Sequence, residues 1–180
     1  IGIDGLEAQL KRAQFSMLNS NYITKDTVLE PFIKPYQIFE KSGIKIGVFG
    51  IGIELKGLVP DHLCKGVVYQ DPISVFKTQE KILKDHGCDV IVCLSHLGYS
   101  YKEQKISDLN LAEISQFTDL IIGGHTHTFL DKPTRLKNTL GKDVIINQAG
   151  WAGLRLGRVD FYVNKDKKTA SVFGTNLKIG

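Results

Sequence analysis

At 180 residues the chain has the size of one domain or a large piece of one. Its 42% apolar and 23% charged residues are ordinary globular proportions, which excludes a disordered tail or a disulfide-dense miniature. Its 23 Lys and Arg against 19 Asp and Glu leave a net charge of +4, too mild and too scattered to point to a nucleic-acid polymer or an anionic membrane.

The densest basic cluster, Lys165, Lys167 and Lys168, is interrupted by Asp166 and reads as a solvated turn. No apolar stretch approaches the roughly 18 residues of a membrane span; the longest runs, such as Val90 to Leu94, have strand length. The chain opens on Ile1, which reads as a start removed by processing or by design, so the lack of a signal peptide carries no information. Cys88 and Cys93 flank one predicted strand, about 16 Å apart at roughly 3.3 Å per residue, too far for a disulfide. With no CxxC spacing, the three cysteines read as buried free thiols rather than metal ligands.

In chain order, Leu6, Leu10 and Ala13 give a helix over Gly5 to Ala13, and Phe15 to Leu18 a short buried strand bounded by Asn19, Ser20 and Asn21. Pro31 and Pro35 punctuate a loop. Tyr36 to Phe39 and Ile44 to Ile53 form a hairpin turning at Lys41, Ser42 and Gly43. The spacing of Gly47, Gly50 and Gly52 does not fit a phosphate-cradling loop. Asp71 caps a helix opened by Pro72 and ended by Gly87, with Ile73, Phe76, Ile82 and Leu83 as its apolar stripe. His86 in its last turn reads as a cap, and His62, beside Pro60 and Asp61, as a loop residue.

Asp89 to Leu94 is a strand buried on both faces, followed by a helix over Ser107 to Gln116 and a further buried strand, Leu120 to Ile122. This order makes a parallel βαβ crossover. Asp143 to Asn147, Leu154 to Val163 and Thr169 to Leu177 are three more strands, the last two an antiparallel pair joined through Asn164 to Lys168. The nearest thing to a linker is Asp131 to Lys142. The fold class is α/β.

Three histidines stand immediately after the two strands of the crossover: His96, His125 and His127. Ligands gather outside the carboxyl ends of parallel strands, and neighbouring strands about 4.8 Å apart bring imidazoles within reach of one ion. An extended His125-Thr126-His127 would send both rings to one side, and Gly123 and Gly124 remove side chains that would obstruct them. An isolated HxH pair is a weak motif, since strands carry histidines for packing. The convergence with His96 makes it a candidate metal site.

Leu94-Ser95-His96-Leu97-Gly98 and Gly123-Gly124-His125-Thr126-His127-Thr128 resemble the last two metal-binding motifs of calcineurin-like metallophosphoesterases, in the form found in the 5'-nucleotidase branch. Supporting segments agree in order: Gly5 to Asn21 resembles that family's helix and Ser-Ala-Asn-type strand, Lys45 to Gly52 its next strand, and Gln148 to Gly157 its Gln-Ala-Gly segment. The similarity covers nearly all of residues 1 to 163. The family's Asp-x-His, Gly-Asp and Gly-Asn-His-Glu motifs are absent; Asp61-His62 and Asp85-His86 have the wrong spacing.

The resemblance implies that residues 1–180 are the C-terminal portion of a catalytic domain, a partial layered β-sandwich flanked by helices, without the family's N-terminal motifs or its nucleoside-binding domain. It implies hydrolysis of a phosphate ester or nucleotide by two divalent ions, Zn, Mn, Fe or Co, about 3.5 to 4 Å apart. His96 and His125 would serve one ion and His127 the other, with no catalytic acid or bridging carboxylate in this chain. It further implies that the isolated 180 residues are nearly inactive, that a missing N-terminal half or self-association covers an open core face or sheet edge, and that the protein is periplasmic or on the cell surface. Two other readings are a mononuclear zinc hydrolase built on His96, His125 and His127, and a non-catalytic α/β binding module with a vestigial metal site. Trp151, after Gln148-Ala149-Gly150, reads as a core or rim aromatic rather than one that flanks the pocket to stack on substrate.

Overall fold

A computed structural model describes residues 2–164 and 169–179. The first helix, α1 (Gly2–Leu10), ends before Ala13 because its last turn tightens into three-residue bonds, Arg12 N–H to Gln9 O and Ala13 N–H to Leu10 O. Of the predicted Phe15 to Leu18 strand only β1 (Met17–Leu18) forms, and Phe15 is exposed. β1 pairs in parallel with β3 (Ile33–Lys34), while β2 (Tyr22–Ile23) pairs with β6 (Val68–Tyr69). Two-residue ladders carry no readable period, so the sequence does not announce β2, β3 or β6.

The predicted hairpin is present as β4 (Tyr36–Lys41) and β5 (Ile44–Ile51). Helix α2 (Pro72–Asp85) starts where Asp71 accepts a hydrogen bond from Ser74 N–H at 2.8 Å, with Pro at the first position. It ends at Gly87, whose φ of +76° suits only glycine without strain. His86 caps it as predicted, its Nδ1 2.7 Å from Ile82 O. His62 lies in a single exposed 3-10 turn, Asp61–Leu63.

β5 continues the central sheet through β7 (Val90–Ser95), β8 (Leu120–Ile122), β10 (Asp143–Asn147) and β9 (Thr134–Lys137), giving the order β4-β5-β7-β8-β10-β9. The β5, β7, β8 and β10 pairings are parallel and both outer ones antiparallel. β9 falls inside Asp131 to Lys142, the segment nearest to a linker in the sequence, and makes it part of the sheet. It is a charged edge strand, with Arg135 and Lys137 paired to Asp143 at 2.9 and 2.7 Å.

Between β7 and β8 lies α3 (Asp108–Ile114), capped by Ser107 and shorter than predicted. The buried Glu80 on α2 explains the difference: its carboxylate accepts from the N–H groups of Gln116, Phe117 and Thr118 and from the Thr118 hydroxyl, at 3.0 to 3.1 Å. These bonds take the backbone out of the helix and aim it into β8. Glu80→Ala leaves four inward-facing donors without a partner, so unfolding by urea is expected to show a loss of about 3 to 5 kcal/mol.

One face of the sheet packs on α2 and α3 through Phe49, Phe76, Leu83, Ile91, Leu111, Ile121 and Ile146. The other carries Val90, Val92, Leu120 and Ile145, covered by Val159, Phe161, Val163 and Val172 of the antiparallel pair β11 (Arg155–Asn164) and β12 (Thr169–Lys178). The predicted turn joining them and the Lys165, Lys167 and Lys168 cluster lie outside the described residues. Cover on this second face is incomplete. Leu94 and Ile122, next along β7 and β8, are 38% and 44% exposed, and Ile122 lines a cleft of about 500 Å³. Cys88 and Cys93 are buried free thiols, while Cys64, also free, is only half-buried. Among the described residues no helix is long and apolar enough to cross a membrane.

Candidate metal centre

The carboxyl ends of β7 and β8 are adjacent, with Leu94 in register with Ile122. The turns beyond them carry the three candidate histidines. His96 is tied to the neighbouring strand by its N–H, 2.8 Å from Ile51 O. Its ring meets that of His125 edge to face, centroids 5.3 Å apart at 70°. Gly124 permits this approach, because a Cβ there would sit 2.9 Å from His96 Nδ1. A Cβ on Gly123 would overlap the Asp108 carboxylate and not an imidazole, so Gly124 acts as the sequence predicts while Gly123 makes room for Asp108.

The backbone at the second motif differs from the expected extended strand. β8 stops at Ile122, and His125 and His127 lie in a bend with φ of +67° and +52°. Left-handed backbone at two non-glycine residues is costly, roughly 1 to 2 kcal/mol each, and such strain concentrates at functional sites. His127 consequently points to the rim, where its ring stacks on Trp151 at 5.7 Å and 14°. Trp151 is 56% exposed, which makes it a rim aromatic rather than a core one.

The buried Gln148 holds this bend. Its Oε1 accepts from Thr128 N–H and, at 3.2 Å, from the Thr126 hydroxyl, and its Nε2 donates to Gly124 O at 2.8 Å. Thr126 Oγ1 in turn receives Tyr99 N–H at 3.0 Å, which joins the His125 bend to the loop that follows His96. Gln148 stood out in the sequence only as part of a resemblance; its role is legible only in three dimensions.

Partial burial lowers the pKa of His96, and the nearby His127 lowers it further. Burial also lowers that of His125, followed by His96, Lys105 and His127. Both rings are therefore neutral at pH 7, with lone pairs free for a cation. The donors suit an imidazole-binding divalent ion, but they do not close a site: among the described residues no group of three or more His, Cys, Asp or Glu is arranged to hold a metal. The structure brings the His96 and His125 rings into contact, while the His127 ring, near enough to act on both electrostatically, stacks on Trp151. His62 and His86 take no part in the cluster.

No protein-family model matches the chain. The trifunctional nucleotide phosphoesterase YfkN of Bacillus subtilis is 33% identical over 150 residues, covering 79% of this chain and 10% of that protein. The crystal structure of a 5'-nucleotidase precursor from Thermus thermophilus superposes with a TM-score of 0.82 at 27% identity, over 97% of this chain and 36% of that one. The chain belongs to the 5'-nucleotidase branch of the calcineurin-like phosphoesterases. The structure of calcineurin-like phosphoesterase YfkN from B. subtilis, at TM-score 0.72 and 23% identity, covers 98% of this chain and 60% of that one, and supports the fold alone. The chain spans 10 to 28% of the length of these curated relatives.

Proposed function

We propose that the protein carrying these residues hydrolyses phosphate esters of the nucleotide type, and that this chain supplies His96 and His125 to one divalent ion and His127 to a second. Residues 1–180 are then the C-terminal portion of the catalytic domain, the remaining ligands coming from the rest of the protein. The observation that carries this reading is the pairing of two neutral imidazoles across adjacent parallel strand ends, in a chain whose relatives are named as nucleotide phosphoesterases and nucleotidases. When bound, the ions would supply Lewis-acid stabilisation of phosphoryl charge and activation of water. The chain's own residues do the positioning. Gln148 and Thr126 fix the His125 bend, Gly124 lets the His96 ring close on it, and Trp151 shields one face of His127. The unfinished cover over Leu94 and Ile122 supports a further segment or a second copy on that face. By the same resemblance the protein works outside the cytoplasm, in a periplasm or at a cell surface.

The test is phosphate release from nucleoside monophosphates by the full-length protein before and after a chelator. Activity should vanish and return with Zn, Mn, Fe or Co, with close to two ions bound, while the 180 residues alone should be nearly silent. One ion with full activity would instead favour a mononuclear zinc hydrolase, and no bound ion a non-catalytic module. Because His96 and His125 sit below the ordinary imidazole value of about 6.5, the acid limb of the rate profile should fall below that pH, where protons displace the metal. For the metal-free fold the sign is the same. Between the ordinary and the lowered value the unfolded chain takes up protons that the native rings refuse, so stability falls with falling pH across that window.

A further inference from the structure

Asp108 opens α3 and is 0% exposed, yet neither carboxyl oxygen completes a hydrogen bond of ordinary geometry. Burial pushes its pKa up to about 7, against a smaller opposing effect of the nearby Ser95 hydroxyl. Helix capping does not explain it, because Ser107 already accepts Asn110 N–H and serves as the cap. An acidic residue placed for the helix dipole would stay ionised and wet. An orphaned carboxyl inside a core costs stability, so its placement calls for a reason.

The geometry provides one. The Asp108 N–H bonds to Gly98 O at 2.8 Å, fixing α3 to the loop after His96. The carboxyl lies near Ser95, the residue before His96, and fills the space where a Gly123 Cβ would be, two residues before His125. The same Cβ position on Gly123 is 3.1 Å from Gln148 Nε2, so the Asp108 carboxyl and the Gln148 amide both close on the side of Gly123 where a side chain would project. We propose that Asp108 is a positioning residue whose side chain is the wedge setting the separation of the His96 and His125 turns. It acts by shape and exchanges no proton with substrate. The inference rests on the reading of those histidines as ligands.

Four variants of the full-length protein test it: Asp108→Ala, Asp108→Asn, Gly123→Ala and the double substitution of both sites by Ala. In the metal-free protein, histidine ring NMR signals of His96 and His125 should move in Asp108→Ala while those of His62 and His86 stay in place. Affinity for Zn²⁺ or Mn²⁺ should weaken about tenfold or more, with kcat falling in step and KM within about twofold. The near-isosteric Asn should restore affinity and ring signals. Gly123→Ala alone should weaken binding by overlap, and adding Asp108→Ala should recover part of the loss, because the new methyl occupies the vacated space. Unmoved ring signals with parental affinity in Asp108→Ala, or a double variant worse than either single one, would overturn the proposal. If the parent binds no ion, or His125→Ala leaves binding intact, the ligand reading fails separately, and the metal-free ring signals still decide the role of Asp108.

Discussion

His125→Ala in the full-length protein is expected to lower metal-dependent phosphate release by at least about a thousandfold, the scale of losing a group that acts on transition-state charge. His125 is the ring in edge contact with His96, and its neutral state supplies a lone pair. Alanine removes that donor and leaves the backbone at φ +67°, where a Cβ is still strained. His125→Gly separates the two effects. It should be equally inactive yet more stable than His125→Ala by about 1 kcal/mol, because glycine tolerates the left-handed region. Phosphate release with thermal melts of both variants measures this; turnover near the parental rate in either would remove His125 from the mechanism.

Gln148→Ala should produce the second-largest loss, about a hundredfold in rate, with a stability cost of roughly 2 to 4 kcal/mol. The substitution cuts the bonds to Thr128 N–H, the Thr126 hydroxyl and Gly124 O together. The bend that places His125 and His127 in left-handed conformations then loses what holds it. Gln148→Glu keeps an acceptor for Thr128 but puts a carboxylate against Gly124 O, where a donor is required. Its deficit should ease as pH falls and the carboxyl takes up a proton. Denaturant melts at pH 5 and 8 compare the two, and a Gln148→Ala protein with unchanged rate would show that the bend stands without its clamp.

The regular elements were legible because their periods and caps are local. Asp71, Pro72 and Gly87 bracket α2, and the apolar run after Asp89 fits a strand enclosed on both sides. The short ladders β2, β3 and β6 were not, since two residues have no period, and β9 was obscured by Arg135 and Lys137, which face an edge. The length of α3 misled because Glu80, far away in sequence, draws off the amides of Gln116 to Thr118.

At the site, residue type and position after two buried strands singled out His96, His125 and His127 as candidate ligands. Sequence spacing alone suggested an extended backbone at His125 and His127, and the bend with its two positive φ angles reversed that picture. Gln148 and Asp108 carry no local signal of their role. An amide and an acid acquire their meaning here only from which turns they touch.

The sequence by itself determined the α/β order, the parallel crossover, the identity of the three imidazoles and the likeness to one phosphoesterase branch, because hydrophobic period and residue chemistry are written locally along the chain. Only the tertiary structure decided that the His96 and His125 rings meet while the His127 ring stacks on Trp151, that Gln148 bonds across the bend, and that the buried Asp108 carboxyl lies against Gly123. Those relations depend on which strands lie side by side and on the burial that follows, which are properties of the packed chain and not of any segment within it.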